Sequence, residues 1–177
     1  MAQAPWRTDM QKRTLLTALA LAPLLGACGF RLRGVPTFVF RSLYIQAGRG
    51  SPVARELSRN LASASDKLTV LRDPASPDDA DAIFQIISER QERVIVGMNA
   101  LGQVRELQLR LRVRFKLRTP NGDEPIPETE ILQQRDVTYN ETNALSKEAE
   151  EAMLYKDMRT DIVQQLLRRL SAVKSLT

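Results

Sequence analysis

Six apolar side chains at strictly alternate positions, Leu107, Leu109, Leu111, Val113, Phe115 and Leu117, constrain this chain more than any other feature. A period of two belongs to a β-strand, whose successive side chains point to opposite faces. Between the apolar residues stand Gln108, Arg110, Arg112, Arg114, Lys116 and Arg118, so the strand is expected to have one core face and one strongly basic face. From Gln103 to Arg118 it spans roughly 50 Å at ~3.3 Å per residue, which is long for a globular strand. Such a strand needs neighbours for its backbone and a cover for its apolar side.

The rest of the chain supplies both. Phe38 to Gln46 is β-branched and aromatic, and Leu68 to Leu71 is a short apolar run, so both are predicted strands. Ala82 to Val96 is a longer strand. Its Ile83-Phe84-Gln85-Ile86-Ile87 segment is expected to be buried on both faces, and its middle, Ser88 to Arg93, is polar. Gly97 to Gly102 turns the chain into the alternating strand, and Thr119 to Pro127, with Asn121-Gly122 as its turn signal, leads to a strand over 128–140. Ser51-Pro52 reads as an N-cap followed by proline at the first helical position, and Val53, Leu57, Leu61 and Ala64 share a face, predicting a helix over 51–64. A long terminal helix follows from about Ala144 to Ala172. Leu145, Ala149, Ala152, Tyr155, Met158, Ile162, Leu166, Leu170 and Val173 recur every three or four residues, and Arg168 and Arg169 suit its negative end. The predicted fold is α+β: a two-layer sandwich of a four- to five-stranded, mostly antiparallel sheet with two helices on one face.

The composition excludes most catalytic chemistry. There is no histidine, hence no imidazole base and no histidine-containing metal site. The single cysteine, Cys28, rules out an intrachain disulfide and any multi-cysteine metal site. Carboxylate pairs survive as candidates, Glu89 with Glu92 and Glu148 with Glu151, but the second pair falls on an expected exposed helix face, where solvated charge is the ordinary reading. The loop 72–81 holds Asp73, Asp78, Asp79 and Asp81, and their spacing does not fit a calcium loop. No metal site is predicted.

The first 30 residues read as an export signal. Arg7, Lys12 and Arg13 form a positive segment, and Met10 would open a tighter version of it. The apolar run Leu15 to Leu25 follows, too short at about 16 Å of helix to cross a bilayer and interrupted by Pro23. It ends in Leu25-Gly26-Ala27-Cys28, which resembles the lipobox of bacterial lipoproteins. That resemblance implies removal of residues 1–27, acylation of Cys28 as the only covalent lipid, and a tether over 28–36 leading into a single domain, 37–177. Gly29, in place of an aspartate, points to the outer membrane of a Gram-negative cell. The whole chain carries a net charge of +5; loss of three basic residues and one acid with the leader leaves +3. In the cell envelope that charge favours anionic lipid head groups, lipopolysaccharide phosphates or acidic glycans over nucleic acid.

The residues after the lipobox carry a further likeness. Cys28-Gly29-Phe30-Arg31-Leu32-Arg33-Gly34, the order strand, helix, long hairpin, strand, terminal helix, the stretch Tyr139 to Glu148, and Met158-Arg159 through Arg168-Arg169-Leu170 together resemble the lipopolysaccharide-assembly lipoprotein E family. What the resemblance implies is a non-catalytic protein without a cofactor. It would be held at the periplasmic side of the outer membrane by its lipid, seated in the lumen of a large β-barrel, the assembly protein D, which it plugs and helps to assemble. It would bind lipopolysaccharide on its way to the cell surface. Lys147 matches a basic residue that the family uses for this ligand. At the hairpin tip, where the family has another, this chain has Met98 or Asn99, with Arg93 and Arg105 nearby as substitutes. A different job for the same lipoprotein is that of an auxiliary component of a lipid-trafficking ABC transporter.

Overall fold

The alternating strand sits near the middle of the molecule, with a neighbour on each side. In the computed structural model, which describes residues 36–64, 66–139 and 144–177, the elements run β1 (Ser42–Gln46), α1 (Pro52–Ala64), β2 (Thr69–Leu71), a 3-10 turn at Pro77–Asp79, β3 (Ala82–Met98), β4 (Val104–Arg118), β5 (Ile126–Thr138) and α2 (Ala144–Ala172). The export signal, Cys28 and nearly all of the expected tether lie outside the described residues. The five strands form one sheet in the order β2-β1-β3-β4-β5.

The two long ladders, β3 with β4 and β4 with β5, are antiparallel. The short strand β1 pairs parallel with both β2 and β3, so the sheet is mixed, not antiparallel throughout. The reason is connectivity: α1 carries the chain back along the sheet before β2, and such a crossover returns a strand in the same direction.

All six alternating residues of β4 are buried, Leu109, Leu111, Val113, Phe115 and Leu117 completely. Those five join Leu43, Ile45, Phe84 and Ile86 from the sheet, Val53, Leu57 and Leu61 of α1, and Tyr155, Met158, Ile162, Val163, Leu166 and Leu170 of α2 in one core. Both helices therefore cover the same face. On the opposite face a small second cluster, Tyr44, Ala80 and Ile83, lies beside Leu71.

Two details depart from the sequence expectation. Ile87 is partly exposed, because a register shift between Ile86 and Ser88 inserts it as an extra residue and ends the two-sided burial. On α2, Ala149 and Ala152 are exposed and Glu151 is buried instead. Glu151 lies four residues before Tyr155, so it continues the buried stripe that the sequence reading assigned to Ala152.

Ser51 caps α1 as expected, its Oγ accepting from the Ala54 N–H at 3.1 Å while donating to Glu89 Oε2 at 2.8 Å. The aspartates of the 72–81 loop are occupied structurally. Asp73 accepts from the Tyr44 hydroxyl at 2.7 Å. Asp79 completes a capping box with Ser76, whose Oγ accepts from the Asp78 N–H. Asp81 Oδ2 accepts from the backbone N–H groups of Arg41 and Ser42 at 2.8 and 3.0 Å, stitching the start of β1 to the start of β3. Those backbone hydrogen bonds hold the Asp81 carboxyl below its ordinary pKa, against a smaller opposing effect of burial.

Candidate functional site

On the outer face of the sheet, expected to be strongly basic, three of the five β4 cations meet acids, while Arg110 donates to Gln108 at 2.8 Å. The neighbouring strands and loop place acids against the β4 cations. Arg112 donates to Glu92 on β3 at 3.3 Å and to Glu130 on β5 at 2.7 Å. Arg114 pairs with Glu128, Lys116 with Glu124 at 2.6 Å, and Gln108 donates to Asp136 at 2.9 Å. Hydrogen bonds from Arg112 to Glu130 and Glu92 raise the pKa of its guanidinium further. A single strand's pattern shows its own charges and not those of its partners, so the stretch Arg112 to Lys116 is a salt-bridged polar surface and not an open anion site.

The helix-bearing face carries the cations predicted to contact ligand. Arg93 pairs across the ladder with Leu109, and Ile95 with Leu107, so Arg93 and Ile95 share the side of the buried leucines. Arg105, two residues before Leu107, has the same parity. Lys147 lies one helical turn before Glu151 on α2.

Each of the three has a different neighbourhood. Arg93 Nη2 stands 2.6 Å from Glu151 Oε2, with the arginine side chain 60% exposed and the glutamate 6%. The contact is an ion pair without hydrogen-bond alignment, since Oε2 accepts no hydrogen bond. Lys147 Nζ donates to Glu150 at 2.7 Å. Arg105 is exposed, and among the described residues its side chain donates to the Gln103 side-chain carbonyl oxygen at 3.2 Å and meets no carboxylate. Glu151 thus differs from its expected place on a solvated face, because the stripe turns it inward and Arg93 meets it there. One turn further on, the Tyr155 hydroxyl donates to the Glu92 carbonyl at 2.8 Å. Burial and the charges of Glu151 and Glu92 push the Tyr155 pKa up, with Arg93 opposing.

The end of the β3–β4 hairpin beside Arg105 is apolar and open. Ile95, Val96, Met98 and Leu101 are all exposed, Met98 at 60% and Leu101 at 83%. The tip is held in shape by Asn99, whose Oδ1 accepts from the N–H groups of Leu101 and Gln103 at 3.0 and 2.9 Å, and by Gly102 at φ +75°. The sequence reading marked Met98 or Asn99 here as standing where the family has a basic residue, but did not foresee that the tip is apolar and exposed. The signal available was the run of large apolar residues around it, which no local partner can bury. The arrangement is an amphipathic end: cations beside a fixed apolar tip, the chemistry that meets an anionic lipid head group and its chains.

Comparison with known proteins identifies the lineage. The family model described as LptE, lipopolysaccharide-assembly, matches residues 40–170. The chain belongs to the LptE family. The LPS-assembly lipoprotein LptE of Yersinia pestis (strain Pestoides F) is 34% identical over 168 residues, covering 93% of this chain and 78% of that protein. The solution structure of an uncharacterized lipoprotein B from Nitrosomonas europaea superimposes with a TM-score of 0.68 at 34% identity, over 81% of this chain and 91% of that one. The rare lipoprotein B from Shewanella oneidensis shares the fold, with a TM-score of 0.62 at 20% identity, over 74% and 94% of the two chains.

The LptE likeness read from the sequence therefore holds. The match begins at Phe40, inside the described region, so Cys28 rests on the sequence pattern alone. Among the described residues no helix is long and apolar enough to cross a membrane. Both carboxylate pairs weighed from the sequence have a member bound to a neighbour: Glu89 accepts from Ser51, Glu92 accepts from Arg112, and Glu151 faces Arg93.

Proposed function

We propose that this LptE-family chain is an outer-membrane lipoprotein of lipopolysaccharide assembly. It is processed by removal of residues 1–27, acylated at Cys28, tethered through 28–36, and seated by its 37–177 domain in the lumen of a large β-barrel, the assembly protein D. There it binds lipopolysaccharide during delivery to the cell surface. The observation that carries the reading is the amphipathic character of this end: Arg105 just past the exposed apolar tip at Met98 and Leu101, Arg93 before the tip on the helix-bearing face of the hairpin, and Lys147 one helical turn before the Glu151 that meets Arg93. Phosphates favour arginine and lysine donors, and acyl chains favour the apolar tip. The outer face of the sheet suits a polar lumen, since Arg112, Arg114 and Lys116 are already paired with acids of this chain and need no counter-ions from the wall.

The test is purification of the tagged full chain from outer membranes. The reading expects a large outer-membrane β-barrel to accompany it in equal amount, and depletion of the chain to lower both that barrel and surface lipopolysaccharide. Recovery with an inner-membrane ABC transporter instead, with no barrel, overturns it.

A further inference from the structure

We propose that Glu151 is an internal competitor for the anionic ligand of Arg93, a positioning residue that occupies the guanidinium until a lipid phosphate displaces it. The proposal rests on the reading of the amphipathic end as the lipopolysaccharide site. The geometry of the pair carries it. Glu151 is fixed by the helix in a buried place, while Arg93 lies at the surface and meets it through one nitrogen at 2.6 Å. Arg93 has five N–H donors in a planar fork suited to phosphate, and the contact with Glu151 is unaligned. A phosphate arriving from solvent presents more oxygens and more charge than the carboxylate, and a high local concentration of lipid offsets the cost of leaving the buried Glu151 carboxylate without its partner.

Release of the pair does not undo the fold around it. Tyr155 still ties α2 to the Glu92 carbonyl, and Met158 and Ile162 remain in the core. The remaining charges near Arg93 are settled otherwise: Lys147 is paired with Glu150, and Glu92 with Arg112 on the outer face. Glu151 is therefore the anion that sets how available Arg93 is.

The experiment titrates the full chain, in neutral detergent micelles, with fluorescent bis-phosphorylated lipid A and with its dephosphorylated form. Glu151→Gln keeps the side chain's shape and removes its charge. It should tighten binding of the phosphorylated probe by roughly three- to tenfold, the range expected for one unit charge about 3–6 Å away under water-like screening, since the Arg93 side chain is mostly exposed. The gain should shrink at high salt and be absent with the dephosphorylated probe. Arg93→Gln/Glu151→Gln should lose the gain, and Glu151→Asp should stay near the parent. Unchanged or weaker binding by Glu151→Gln overturns the proposal, as does failure of that variant to fold cooperatively, because a competitor is dispensable to the fold. Lys147→Asp and Arg105→Asp separate the two levels. If they weaken binding while Glu151→Gln has no effect, only this inference fails; if they too leave binding unchanged, the ligand site itself is wrong.

Discussion

Replacing Leu111 by alanine measures whether the alternating strand is the keystone of the core. Leu111 has no exposed surface and stands mid-strand in β4, across from Gln91 on β3 and Gln133 on β5, within the core that α1 and α2 complete. The substitution removes three carbons, worth about 2.4 kcal/mol at ~0.8 kcal/mol each. A residual cavity adds to this, because two ladders and a helix layer limit collapse, and the total falls in the range of about 3–4 kcal/mol. For a chain of this length that lowers the thermal midpoint by roughly 6–15 °C. Arg112→Ala, the next residue, is the control: it loses ion pairs at a partly exposed site, and such pairs contribute little. The assay is urea denaturation followed by circular dichroism, with the slope unchanged in both variants. Equal losses in the two variants would mean the strand is packed on both faces, and the two-layer architecture would be refuted.

Arg93→Ala should destabilise by roughly 1–3 kcal/mol, since it strands a buried carboxylate that water can reach only in part, and Glu151→Gln should cost less; the same denaturation series decides, and the reverse order would sink the buried-charge account. Asp81→Ala removes the acceptor of two backbone N–H groups, for a loss of about 1 kcal/mol after allowance for its exposure. Because the folded pKa of Asp81 lies below its unfolded value, its contribution is full above pH ~4 and is lost as pH falls through the folded pKa. The gap between parent and variant should therefore close between pH ~4 and lower values, and a gap that persists there contradicts the assignment. Cys28→Ala should abolish palmitate labelling and leave the precursor uncut; labelling that survives would remove Cys28 as the anchor.

Much of the fold was legible because its signals are local and periodic. The period of two in β4 gave a strand whose six alternating apolar residues are all buried, and the Ser51-Pro52 start gave α1 to within a residue. The bounds of α2 followed from its stripe in the same way. What escaped depends on contacts between distant segments. The parallel pairing of β1 follows from where the crossover lands, which no pattern in Ser42–Gln46 records. The β4 cations read as a strongly basic face until Glu92, Glu128 and Glu130 arrived from strands up to about twenty residues away. Arg93 was legible as a basic residue beside the hairpin and illegible as the partner of Glu151, because 58 positions separate them and the glutamate's inward turn is set by the register of α2. The exposed tip was missed for the opposite reason: apolar residues in a turn look unremarkable until the structure shows nothing covering Leu101.

The central claim, that the cations at the amphipathic end hold lipopolysaccharide, is tested most directly by the affinity of Lys147→Asp/Arg105→Asp for lipopolysaccharide, measured beside its association with the barrel. These two positions are used because Arg93→Asp would set a second carboxylate against Glu151 and disturb the fold. A charge-assisted contact contributes roughly 1.5–3 kcal/mol, so the double reversal should weaken ligand binding by tenfold or more while the barrel is retained through its wide interface. Normal lipopolysaccharide binding together with loss of the barrel would contradict the account and place these residues at the barrel wall.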